Sequence, residues 1–125
     1  MILQNNLYQI VSMQDMDNGQ HLVNISLARE SEIFKAHFPN LPILPGACLV
    51  QISKEFIENR LQQKMQITQF KNLKFLKTIN PDEFSEITIS FSYKKSEENY
   101  ATSITYSKNE HLFCKLDYLF MVIFQ

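Results

Sequence analysis

The sequence has no tryptophan, two glycines and two cysteines in 125 residues. Cys48 and Cys114 make neither a metal-ligand spacing nor a disulfide framework, so both are expected to be buried free thiols of a reducing compartment. With glycine confined to Gly19 and Gly46, no Gly-x-Ser-x-Gly elbow surrounds Ser53, which argues against nucleophilic catalysis there. His21 and His111 have no partners at ligand spacing, so no metal site is expected. An excess of one charge is missing too. Twelve Lys and Arg against 13 Asp and Glu leave a formal net charge of −1, with no global attraction to nucleic acid or a membrane surface. Basic residues are not interleaved with aromatics in the manner of a nucleic-acid groove. The apolar run Leu116–Phe124 is far shorter than the roughly 20 residues of a membrane span. Met1–Ser12 lacks a charged start followed by an apolar core, so no signal peptide and a cytoplasmic location are expected.

What the chain does have is apolar and aromatic surface to bury. Hydrophobic residues make up 45%, and ten Phe with five Tyr favour strands. The length fits a single domain over residues 1–125. Leu7–Met13 is a short apolar piece, either a strand or a first helical turn. Asp15–Gly19 has hairpin-turn composition, and His21–Ala28 alternates as a half-buried strand. Arg29–Phe34 reads as a loop with a helical turn. A helix is expected from Pro45 or Gly46 to Gln63, followed by strands over Ile67–Ile79, Ile87–Lys94, Tyr100–Ser107 and Leu112–Phe124. One apolar helix ahead of a run of antiparallel strands is an α+β pattern.

The stretch His37-Phe-Pro-Asn-Leu-Pro-Ile-Leu-Pro-Gly46 stands out. Its three prolines fix their own φ and push each preceding residue out of the α region, so the segment is stiff and extended. The helix after it directs free N–H groups and a partial positive charge back towards the arm. Gly46, without a Cβ, leaves its N–H open to a ligand oxygen. Histidine, with an ordinary pKa of ~6.5, is suited to proton transfer near neutral pH. Together these features suit work on a carbonyl group.

His37, Phe38, Pro39, Pro42, Pro45 and Gly46, ahead of an apolar helix, resemble the 3-hydroxyacyl-acyl carrier protein dehydratases of the hot-dog fold. Phe34 and the segment Lys74-Phe-Leu-Lys-Thr-Ile-Asn-Pro-Asp-Glu83 fit the same family, and the resemblance covers nearly the whole chain. It implies an antiparallel sheet wrapped around one central helix, working as a homodimer or a higher assembly of dimers, without a cofactor. His37 would remove the α-proton of a 3-hydroxyacyl thioester, and the N–H of Gly46 would polarise its carbonyl. Phe38, Ile43, Leu44 and Leu49 are either core or the lining of an acyl tunnel.

The family places its catalytic Glu or Asp fourteen residues after the histidine, where this chain has Gln51, a side chain with no titratable proton. Glu55 follows one turn later. Gln51, Glu55, Glu58 and Gln62 form a polar stripe, read either as a solvated helix face or as the tunnel-facing edge. Three outcomes follow for the acid: Glu55 supplies it, His37 serves as base and acid, or the chain does not catalyse. Arg60, Lys64, Lys71, Lys74, Lys77, Lys94 and Lys95 give the second half a basic bias. It is ordinary surface charge or a docking patch for acyl carrier protein bearing a phosphopantetheine-linked acyl chain. The alternatives to dehydration are a hot-dog thioesterase and a non-catalytic acyl-binding or scaffold subunit paired with an active homologue.

Overall fold

The computed structural model describes residues 2–36 and 42–123. The elements are β1 (Tyr8–Asp15), β2 (His21–Leu27), α1 (Glu32–Ala36), α2 (Gly46–Leu61), β3 (Lys64–Phe75), β4 (Glu86–Ser96), β5 (Asn99–Lys108) and β6 (His111–Ile123). The strands form one six-stranded sheet in the order β1-β2-β4-β5-β6-β3, with every neighbouring pair antiparallel.

Turn chemistry sets the hairpins. Gly19, at φ 84°, closes the β1–β2 turn as its composition predicts, because that conformation costs glycine nothing. Glu97 and Asn109 take positive φ in the β4–β5 and β5–β6 turns. Leu7–Met13 resolves into a strand, β1, entered through a turn at residues 5–7. The strand expected over Ile67–Ile79 instead starts at Lys64 and leaves the sheet after Phe75. There Leu76 and Lys77 both donate their N–H to the Phe113 carbonyl, which bends the chain off the ladder.

α2 lies on the inner face of the sheet, as the resemblance implies. It buries Leu49, Ile52, Phe56 and Ile57, in one core with Val23 and Ile25 of β2, Ile89 and Phe91 of β4, Ile104 of β5, and Leu116 and Phe120 of β6. Each such side chain stabilises the fold by about 1.5–3 kcal/mol when fully buried. Two tyrosines tie the sheet to the helix: Tyr106 donates to the Leu49 carbonyl at 2.6 Å, and the Tyr118 hydroxyl lies 2.8 Å from Ser53 Oγ. The helix ends at Gln62, whose left-handed φ of 56° lets its N–H reach the Glu58 carbonyl. Cys114 is buried, as expected, whereas Cys48 on the first turn of α2 is only half-buried. Among the described residues no helix is long and apolar enough to cross a membrane.

Phe56 and Phe91 hold helix and sheet together, with ring centroids 4.6 Å apart. Phe56→Ala is expected to lower unfolding free energy by about 3–5 kcal/mol, read from urea titration. A loss under about 1 kcal/mol would mean that this contact is not central to the core.

Candidate active site

Residues 43–45 and the helix start build an apolar pocket. Leu44 donates its N–H to the Ile79 carbonyl at 2.9 Å, which fixes the chain just ahead of α2 beside the segment that leaves β3. Between them lies a pocket of about 560 Å³ lined by Ile43, Leu44, Pro45, Gly46 and Leu49 on one side and Phe75 to Ile79 on the other. Three of the four residues expected to line an acyl tunnel meet here, together with Gly46. No described side chain caps the helix start, and Pro45 is extended at φ −64°, ψ 147°. The bare α-carbon of Gly46 has a further use: a Cβ there would sit 3.0 Å from Phe75 Cε1 and Cζ. The glycine thus admits the Phe75 ring. His37 and Phe38 lie outside the described residues.

The polar stripe is not a solvated face. Glu55 is buried, and Gln51 and Glu58 are half-buried; only Gln62 is exposed. The Glu55 carboxylate receives four hydrogen bonds. Oε2 accepts from the backbone N–H of Leu3 at 2.8 Å and from Gln51 Nε2 at 2.9 Å. Oε1 accepts from the Gln4 N–H at 2.8 Å and from the Tyr8 hydroxyl at 3.0 Å. Burial first, then the charge of Glu55 and the hydrogen bond to it, push the Tyr8 phenol well above its ordinary pKa, so it stays a donor. Burial and the Glu55 charge also raise Cys48, which keeps that thiol from ionising. Glu58 accepts the Met65 N–H at 2.9 Å and so pins the start of β3.

The sequence gives no sign of Leu3, Gln4 and Tyr8 as partners of Glu55, since two of the three donors are backbone groups. Phe75 to Ile79 as pocket wall carry no sequence signal either, because β3 ends there through backbone bonds to Phe113. Gln51 and Glu55 do not line the apolar pocket. Glu55 borders a separate polar one of about 400 Å³ with Ile2, Gln4, Glu58 and Lys64. The basic residues likewise divide. Lys77 lines the apolar pocket, its Nζ 2.6 Å from His111 Nδ1. Lys71 and Lys94 share a groove over the sheet with Ser103 and Asp117. Arg60 is taken up by Asp15, whose carboxyl its hydrogen bond, followed by that of His21, holds below the usual range.

The model of the ApeI-like family, described as ApeI dehydratase, matches residues 13–115. The chain is similar in structure to the dehydratase heterocomplex ApeI:P from Xenorhabdus doucetiae, with a TM-score of 0.76 at 12% identity over 90% of this chain and 96% of that one. A hypothetical thioesterase with coenzyme A from Streptococcus pneumoniae matches with a TM-score of 0.65 at 15% identity, covering 94% and 87%. A mutant thioesterase from Pseudomonas aeruginosa gives 0.63 at 14%, covering 91% and 81%. At these identities the likeness fixes the hot-dog fold and nothing finer. No curated protein sequence matches the chain.

Glu55→Ala strands two backbone N–H groups and the Tyr8 hydroxyl, each an unmet donor costing about 1–3 kcal/mol when buried. The variant is expected to lose at least about 3 kcal/mol in urea unfolding, far more than an exposed glutamate would. A change within about 0.5 kcal/mol would contradict the burial of this carboxylate.

Proposed function

This chain belongs to the ApeI-like dehydratase family, and on that premise we propose that it dehydrates 3-hydroxyacyl thioesters on acyl carrier protein to trans-2-enoyl products. The observation that carries the reading is the apolar pocket ending at the uncapped start of α2, with Gly46 in its wall. An acyl chain needs such a slot, and a thioester carbonyl needs donors at its end. His37 is assigned as the base on its motif. It takes the α-proton, and charge moves onto the carbonyl oxygen, where the N–H of Gly46 and the helix start receive it. One such donor is worth roughly 3 kcal/mol of barrier. The C3–O bond then breaks, and the leaving hydroxyl is protonated and departs as water.

The proton for that second step is assigned to His37 as well. Gln51 has none to give, and the oxygens of Glu55 are filled by four donors, so the outcome in which His37 serves as both base and acid is favoured. Gln51 orients the hydroxyl. Because Gln51 does not line the apolar pocket at Gly46, the site is assigned to a dimer in which each chain completes the other's site. The edge strand β3, which itself carries the exposed Phe70, Leu73 and Phe75, supports pairing there. Lys77 at the pocket supports entry of a phosphopantetheine arm from an acidic carrier. The similar Xenorhabdus dehydratase is a heterocomplex, which supports a second reading as a subunit that needs a different partner chain.

Incubation with a 3-hydroxyacyl carrier protein is expected to yield the enoyl product and water. His37→Ala should cut the rate at least ~10²-fold with an unchanged melting curve. Free acid with free thiol would identify a thioesterase instead. Binding of the acyl carrier without either product would identify the partner-dependent subunit.

A further inference from the structure

Phe75 ends β3 and lines the apolar pocket together with Gly46 and Leu49. Its backbone is held in place: Phe75 pairs with Cys114 of β6, and the next two residues donate their N–H groups to the Phe113 carbonyl. The ring is 51% exposed, yet one edge of it meets the helix. Its Cε1 and Cζ lie 3.0 Å from where a Cβ on Gly46 would stand. Helical Cα–Cβ bonds tilt towards the N-terminus, so the ring sits beside and ahead of the first turn of α2. Cys48 and Leu49 donate back to the Pro45 carbonyl, which leaves the outward N–H groups of that turn to Gly46 and Ala47. The Gly46 nitrogen is one bond, about 1.46 Å, from the α-carbon against which the ring is seated. A carbonyl that accepts from this N–H therefore brings its own α-carbon alongside the ring edge.

We propose that Phe75 sets the substrate class of the pocket: its ring, seated on the bare α-carbon of Gly46, admits acyl groups unbranched at C2 and rejects those that carry methyl groups there. An unbranched acyl group presents only hydrogens to the ring edge at C2, and its tail meets Leu44 and Leu49. A C2 methyl adds a carbon where the ring already stands. The ring cannot move closer to the helix, and the fixed backbone of Phe75 limits how far it can withdraw. Well-packed apolar sites resist such additions, and one methylene in an apolar pocket changes preference by about 10- to 200-fold. The two residues act as a pair. Glycine at position 46 seats the ring, and the ring takes the space that a side chain there would fill. This rests on the reading of the pocket as an acyl slot and adds to it a specificity-determining residue.

The test is calorimetric binding of two probes to the full-length protein. They are decanoyl and 2,2-dimethyldecanoyl derivatives of pantetheine in which an amide replaces the thioester, so that neither is turned over. The paired methyls place a carbon on both faces of C2. The wild type is expected to bind the linear probe at least about tenfold more tightly than the branched one. Phe75→Ala removes the ring and should reduce that preference to under about threefold, chiefly through tighter binding of the branched probe. Adding Gly46→Ala to Phe75→Ala returns a methyl to the space the ring has left, and should restore a preference of about fivefold or more. Light scattering and urea unfolding check that assembly and fold are kept. Where Phe75→Ala disturbs either, Phe75→Leu keeps an apolar side chain on the β3 edge, falls short of Gly46, and carries the same comparison. An unchanged preference in the Phe75 variant, or equal weakening of both probes, would overturn the proposal and make the ring an ordinary apolar wall. Equal binding of the two probes to the wild type would overturn it as well, with the acyl slot itself left standing. A wild type that binds neither probe overturns the acyl reading of the pocket, and this proposal with it.

Discussion

A single buried carboxylate fixes how the start of this chain meets its central helix. Glu55 offers about four lone-pair sites, and the fold fills them with two backbone N–H groups, a phenol and an amide. A charge withdrawn from water is tolerated only when it is matched in this way. Three of these bonds close a chain loop of about fifty residues and hold residues 3–8 against α2, so losing the carboxylate would release the segment.

Around that anchor the helix serves two surfaces. Its apolar side meets the sheet through Phe56, Ile52 and the tyrosine hydroxyls of β5 and β6. Its N-terminal end closes the pocket of the proline-rich arm. The polar stripe lies outside that pocket. The edge strand β3 carries the exposed apolar side chains of Phe70, Leu73 and Phe75.

Much of this was legible in the sequence where one residue type carries the local physics. Gly19 marked the first hairpin, alternation of Val23, Ile25 and Leu27 marked β2, and Pro45 with Gly46 marked the helix start. Strand ends were less so: β3 stops at Phe75 because of a backbone bond to Phe113, which no side chain announces. The polar stripe shows the limit most clearly. Periodicity places Gln51, Glu55 and Glu58 on one face, but cannot say what covers that face. The cover is a segment some fifty residues earlier, docked through its main chain, and every residue but proline has the same N–H.

The most direct measurement is native-state hydrogen exchange of the Leu3 and Gln4 amides in the full-length protein. Bonded to Glu55, both should exchange at least about 10³-fold more slowly than in an unfolded chain, with protection approaching that of the α2 core. Exchange of both amides at unfolded-chain rates would contradict the account, because the carboxylate would then not be braced by the N-terminal segment.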